Sequence, residues 1–282
     1  MRYADCFKNH YCTQMLTLET ITSAANPLLK DVRRASAHGS LTAGGWCIAE
    51  NLHLLEEALR SPCEVKAVLA AESKRSTVEA YGRRLADTKV VVLPDALFAG
   101  IASTETSQGV MALVKPPGWT LDQLFRSRPL VVVLDGLQDP GNAGTIVRTA
   151  EAFGATGALF LKGTVSPHNP KTLRASAGSL FRLPYLAGVD SALARAALRQ
   201  HRVELYAGVP ALTGNHTRLL ADIDFTTPCG LIIGNEAHGV SGELRSAAMD
   251  MSIPTIGVES LNAAVAAGIL LYEARRQRTL RP

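Results

Sequence analysis

Long apolar runs are missing from this sequence. The longest, from Ala263 to Tyr272, falls far short of the roughly 20 residues that cross a bilayer. No apolar core follows a basic start near the amino terminus, so neither a membrane span nor a secretory leader is read. Cysteine is sparse as well: Cys6, Cys12, Cys47, Cys63 and Cys229 form no C-x-x-C pair and have no H-x-x-x-H companion. That spacing argues against a zinc site or a disulfide framework; no metal is expected, and the expectation is free thiols in a reducing, cytoplasmic setting. Charge of either sign is modest, at 19% of residues and a net +4. A nucleic-acid partner is therefore permitted rather than required, and 21 Arg against 8 Lys favours the side chain whose planar fork suits phosphate. There is no fixed-period repeat and no low-complexity segment.

What is present reads as two α/β units. Residues 1–20 are polar and unpatterned, with a second Met at position 15, and are expected to be a disordered leader. Patterning predicts helices near Asn26 to Ala37, Ala49 to Leu59 and Val78 to Leu85, and strands over Val65 to Ala70, Val90 to Leu93 and Val110 to Val114. Lys115-Pro116-Pro117-Gly118 can extend neither element and marks a boundary, giving units over residues 21–115 and 116–282. In the second unit, Leu130 to Leu134 is a continuous apolar run of the kind buried on both faces of a parallel sheet. Ala158 to Leu161, Val203 to Tyr206, Leu231 to Ile233 and Met251 to Ile253 continue the series at helix-length intervals.

Ligands of open α/β sheets bind beyond the carboxyl ends of strands, which directs attention to three loops. Residues 135–150 run from a strand through a glycine-rich loop into a helix, yet fit neither G-x-G-x-x-G nor G-x-x-x-x-G-K-[ST], which disfavours a dinucleotide or nucleoside triphosphate. Taken alone, Asn142 is a helix cap and Arg148 a solvated surface residue. Gly234-Asn235-Glu236-Ala237-His238-Gly239 follows the next strand, and Ile253-Pro254 leads to Ser260-Leu261-Asn262 before an Ala-rich helix for which Ser260 is the expected cap.

In this order and spacing the three segments resemble the motifs of the SpoU-type, TrmH-like RNA 2′-O-ribose methyltransferases of the SPOUT class: N-x-G-x-x-x-R-T-A, G-N-E-x-x-G, and I-P ending in S-L-N. Pro170 to Ser179 also looks like that family, and residues 21–115 resemble, less specifically, its L30e-like substrate-binding domain. One departure is Ala263-Ala264, where relatives often continue Val-Ser.

The resemblance implies an α/β protein whose carboxyl-terminal parallel-sheet SPOUT domain carries a trefoil knot, preceded by the smaller α/β L30e-like domain. It implies S-adenosyl-L-methionine held near Gly234, Ile253 and Leu261, largely by backbone groups, and a methyl transfer to a ribose 2′-hydroxyl. Arg148 and Asn142 are assigned to the ribose and its phosphate, with Glu236, Ser260 and Asn262 shaping the site. Ribosomal RNA is preferred because minimal tRNA-modifying relatives lack a leading domain; tRNA methylation and a non-catalytic RNA-binding or ribosome-assembly role are the alternatives. A homodimer is expected, with Lys30, Arg33, Arg34, Arg83 and Arg84 as candidate phosphate contacts.

Overall fold

Apolar, β-branched runs become strands, and Asn, Asp and Pro at their ends start the helices between them. The computed structural model describes residues 18–86, 88–210 and 217–280. Its first part comprises β1 (Leu18–Thr20), α1 (Pro27–His38), β2 (Cys47–Glu50), α2 (Leu52–Arg60), β3 (Glu64–Ala71), α3 (Arg75–Glu79), β4 (Lys89–Leu93), α4 (Asp95–Ala99) and β5 (Val110–Lys115). Then follow α5 (Leu121–Leu124), β6 (Leu130–Asp135), α6 (Pro140–Ala152), β7 (Gly157–Leu161), α7 (Pro170–Ser176), β8 (Tyr185–Val189) and α8 (Ser191–Gln200). The chain continues through β9 (Glu204–Gly208), β10 (Arg218–Leu219), β11 (Cys229–Gly234), α9 (Gly242–Arg245), β12 (Met249–Ser252) and α10 (Ala263–Leu280).

The leading sheet has the order β1-β4-β3-β5-β2, with β5 antiparallel to both its neighbours. The second has the order β10-β12-β9-β11-β6-β7-β8, and its pairs are parallel. Burial on both faces explains its continuous apolar runs: every residue of β6 and β7 is buried. One hydrophobic cluster joins the two parts, running from Leu54, Leu55 and Val68 to Ile146, Leu173 and Phe181. Among the described residues no helix is long and apolar enough to cross a membrane.

Several expectations need correction. Of the supposed leader, residues 1–17 lie outside the described residues, whereas Leu18–Thr20 forms β1 and pairs with Val90–Val92 of β4. Three residues are too few to show a period, and the pairing comes from the edge β4 offers. Ala49 and Glu50 belong to β2 rather than to a helix; Asn51, at φ 117°, makes the corner and accepts from Leu54 N at 2.8 Å to start α2. The helix read over Val78 to Leu85 is instead α3 followed by a 3-10 turn at Gly82–Leu85. β8 lacks a readable strand pattern because it is a sheet edge with mixed exposure.

Candidate active site

Strand order reverses between β6 and β11: β7 and β8 extend from β6 on one side, while β9 and β12 lie beyond β11 on the other. A crevice opens at such a switch point, past the carboxyl ends of the strands. Gly234 is in register with Asp135, so the loops leaving β11 and β6 rise side by side.

The helix after β6 begins with a local device. The Asp139 side chain accepts from Asn142 N at 2.6 Å, and Pro140 fills the first position, where its missing N–H costs nothing. Asp139 is therefore the cap, not Asn142, and the Asn142 amide is free to reach outward. Its Nδ2 donates to Glu236 Oε1 at 3.1 Å, and its Oδ1 accepts from Asn262 Nδ2 at 3.1 Å. Three of the expected site residues, one from the first turn of α6 and two from separate loops, form one hydrogen-bonded chain.

Each end of that chain is anchored. Asn262 Oδ1 accepts from Ala264 N at 2.9 Å and Val265 N at 3.3 Å, capping α10. The cap expected at Ser260 is thus at Asn262, because the helix starts at Ala263 and a capping side chain must stand next to the first turn. Ser260 is exposed and does not join the network. Glu236 rides on a loop shaped by Asn235, whose Nδ2 donates to Gly136 O at 2.8 Å while its Oδ1 accepts from Ala237 N and His238 N. Buried Asp135 accepts from Ser241 N at 2.7 Å. A Cβ at Gly234 would collide with the backbone of Gly239 and Val240, so only glycine lets the loop fold back onto its strand.

Arg148 lies on an exposed side of α6, further along than Asn142, and among the described residues it has no carboxylate partner. Among the described residues it makes no hydrogen bond or ion pair with the Asn142–Glu236–Asn262 chain, and its side chain is exposed. Gly234, Ile253 and Leu261, the expected cofactor contacts, are each half-buried at the ends of β11, β12 and the segment before α10. From Pro254 to Leu261 the chain is in no helix or strand, and Thr255 Oγ1 to Val258 O, at 2.9 Å, is its only hydrogen bond among the described residues. This segment accordingly has uncommitted backbone donors and acceptors beside apolar side chains, the donor set that a ligand held by backbone groups requires.

The candidate phosphate contacts of the leading unit are partly engaged. Arg33 Nε donates to Gly100 O and Arg34 Nη2 to Asp31 and Leu41 O, while the Arg84 guanidinium lies 5.6 Å from the Tyr81 ring centroid. Lys30 is exposed, and the Arg83 side chain lies outside the described residues. Burial pushes the Cys47, Cys63 and Cys229 thiols up, Cys229 to about 11, so none is a ready thiolate near neutral pH. Sequence reasoning passed over Asp139 and Asn235. Asp-Pro at a helix start and Asn at a loop corner are the signals that find them.

The sequence profile of the SpoU rRNA Methylase family matches residues 129–272, which spans β6 through most of α10 and all three motif loops. The chain belongs to this family. In SpoU terms the leading unit also has a counterpart, since the MRM3-like substrate binding domain matches residues 26–112. An uncharacterized tRNA/rRNA methyltransferase of Synechocystis is 36% identical, covering 93% of this chain and 95% of the relative. The 23S rRNA (guanosine(2553)-2′-O)-methyltransferase RlmP of Bacillus subtilis is 31% identical over 92% of this chain and 100% of its own. Among solved structures, an AdoMet-bound rRNA methyltransferase from Sinorhizobium meliloti superposes with a TM-score of 0.77 at 29% identity, covering 92% of this chain and 98% of that one.

Proposed function

We propose that this SpoU family member transfers a methyl group from S-adenosyl-L-methionine to a ribose 2′-hydroxyl of ribosomal RNA. The observation that carries the reading is the Asn142–Glu236–Asn262 chain at the β6/β11 switch point, with the exposed Arg148 on the same helix as Asn142. The names of relatives that span nearly the whole chain support the substrate class. When bound, S-adenosyl-L-methionine supplies an electrophilic methyl on a sulfonium sulfur. Gly234, the free backbone of Pro254 to Leu261, and the half-buried Ile253 and Leu261 are the groups that would hold it.

The protein's own work is alignment and charge. Asn142 and Glu236 present polar atoms at the mouth of the switch point, in a geometry fixed because Asn262 cannot rotate without uncapping α10. Positioning of this kind supplies several kcal/mol of a displacement barrier. A guanidinium stays protonated far above neutral pH and is a poor proton acceptor there. Arg148 therefore acts as a cation that clamps the adjacent phosphate and stabilises the oxygen as its proton leaves to a phosphate oxygen or water. Ser260, exposed beside Leu261 and within the same segment, is assigned to it as a polar group for the ligand.

The same reading assigns residues 21–115 to substrate binding and 116–282, with its carboxyl-terminal segment knotted, to catalysis, in a cytoplasmic homodimer. Exposed apolar side chains support the dimer: Ile256 and Val258 before α10, and Val265 and Tyr272 along it, are each more than half exposed. The experiment is calorimetric titration with S-adenosylhomocysteine, together with methyl transfer to ribosomal RNA from cells lacking the protein. Wild type should bind and transfer; Arg148→Ala should bind within about threefold while losing on the order of 100-fold or more in turnover. Near-normal transfer by Arg148→Ala contradicts its role, and absent binding by wild type contradicts the whole reading.

A further inference from the structure

Helix α7 and the turn after it lie between the leading unit and the catalytic helix α6, and they touch both. Toward the leading unit, Arg174 Nη1 donates to Glu50 Oε2 at 3.3 Å and also to Ser103 Oγ. Glu50 closes β2 and is only 2% exposed, yet it is satisfied within its own unit by Ser103 N at 2.9 Å, the Ser103 hydroxyl and Thr104 Oγ1 at 2.9 Å. Just beyond α7, Arg182 forms a double bridge. Its Nη1 pairs with Glu57 of α2, while Nε and Nη2 grip Glu151 of α6 at 2.7 and 3.0 Å. Gly178, at φ 90°, lies against Glu57 so closely that a Cβ there would stand 2.6 Å from the Glu57 Cβ.

Toward the catalytic side, α7 meets α6 backbone to backbone. A Cβ on Gly144 would strike Thr172 O, Ala175 Cβ at 2.6 Å and Ser176 N at 2.8 Å. The glycine of the N-x-G motif is therefore a close-packing position, and close-packed backbones transmit displacement rather than absorb it. The two contacts on α6, at Gly144 and Glu151, stand roughly 10 Å apart at ~1.5 Å per residue and bracket Arg148.

We propose that Arg174 and Arg182 are positioning residues: through α7 and Glu151 they fix the leading unit to α6 on both sides of Arg148, and so determine which ribose of a bound RNA meets the catalytic groups. This rests on the methyltransferase reading above and on the leading unit as the RNA holder. Neither residue touches the reacting atoms. Their effect arises because a displacement of about 1 Å at a reacting centre costs on the order of 100-fold in rate.

The test compares wild type, Arg174→Ala, Arg174→Lys and Arg182→Ala on ribosomal RNA from cells lacking the protein. It measures kcat, KM for the RNA, S-adenosylhomocysteine affinity, and the map of 2′-O-methylated positions. Arg174→Ala should fold, because Glu50 keeps its donors from Ser103 and Thr104; Arg182→Ala is an independent second break. The expected result for both is cofactor affinity within about twofold, RNA KM within about threefold and kcat lower by roughly 10- to 100-fold. New methyls should also appear on neighbouring riboses, and Arg174→Lys should recover a substantial part of the loss. Unchanged kcat and an unchanged ribose map in both alanine variants overturn the proposal. So does a fall in cofactor affinity that parallels the loss of kcat, which marks damage to the site itself. If wild type methylates no RNA, the underlying functional reading fails instead.

Discussion

Asn262 performs two jobs with two different atoms, and a single isosteric change separates them. Its Oδ1 caps α10 through Ala264 N and Val265 N, and its Nδ2 donates to Asn142 Oδ1 at 3.1 Å. In Asn262→Asp the capping oxygen remains, and a carboxylate at a helix start gains about 0.3 to 1 kcal/mol from the helix dipole. The donor is lost, however, and an anionic oxygen faces the Asn142 carbonyl. Asn142 must then turn its amide toward the new carboxylate or tolerate the repulsion, and either response weakens its bond to Glu236. A hydrogen bond to a charged group contributes about 1.5 to 3 kcal/mol, equivalent to roughly 10- to 100-fold in rate if it is expressed in the transition state. Asn262→Asp should therefore unfold within about 2 °C of wild type, or above it, while methyl transfer falls by roughly 10- to 100-fold. Asn262→Ala should lose the rate and about 1 kcal/mol of cap as well, lowering the midpoint by roughly 2 to 4 °C. Thermal melts and methyl transfer to ribosomal RNA on the same preparations decide the matter. Wild-type turnover by Asn262→Asp, or an unchanged midpoint for Asn262→Ala, refutes the reasoning.

Gly144→Ala should cost about 1 to 3 kcal/mol in urea unfolding, because the new methyl meets α7 backbone rather than a movable side chain; a neutral outcome would mean that the helices separate freely. Asp139→Ala should lose about 1 kcal/mol of cap and also reduce methyl transfer, since Asn142 N loses the acceptor that orients the first turn; retained activity with lost stability would separate Asp139 from the site. Burial holds the His168 imidazole down at about 4, beside the Tyr185 hydroxyl at 3.0 Å, so the folded state favours the neutral ring. Stability from this residue is present above an unfolded value of about 6.5 and lost as pH falls toward 4, on the order of 2 kcal/mol between about pH 8 and pH 5. His168→Gln should flatten that slope in urea titrations, and a slope identical to wild type would exclude His168 as its source.

How much of this was readable from the residues depends on the range of the interaction. The parallel sheet was legible because β6 and β7 are buried on both faces and so contain uninterrupted apolar runs. β1 and β8 were not, since edge strands are short or half-exposed and imitate loops. Asn142, Glu236 and Asn262 stood out only by matching family motifs; nothing local to any of them reveals that they share hydrogen bonds. Helix ends were misassigned where two polar residues competed. Asp139 takes the cap offered to Asn142, and Asn262 takes the one offered to Ser260, and in both cases adjacency to the first turn decides. The bridges from Arg174 to Glu50 and from Arg182 to Glu57 and Glu151 join residues remote in the chain, which no periodicity encodes.

The most direct measurement is the chemical position of the transferred methyl. Ribosomal RNA labelled by wild-type protein with methyl-tritiated S-adenosyl-L-methionine should be digested to nucleosides and, separately, hydrolysed in alkali. The account predicts label in a ribose-methylated nucleoside, recovered from alkali as an uncleaved dinucleotide because the 2′-oxygen is blocked. Label on a base, or released in alkali as mononucleotide, would contradict it.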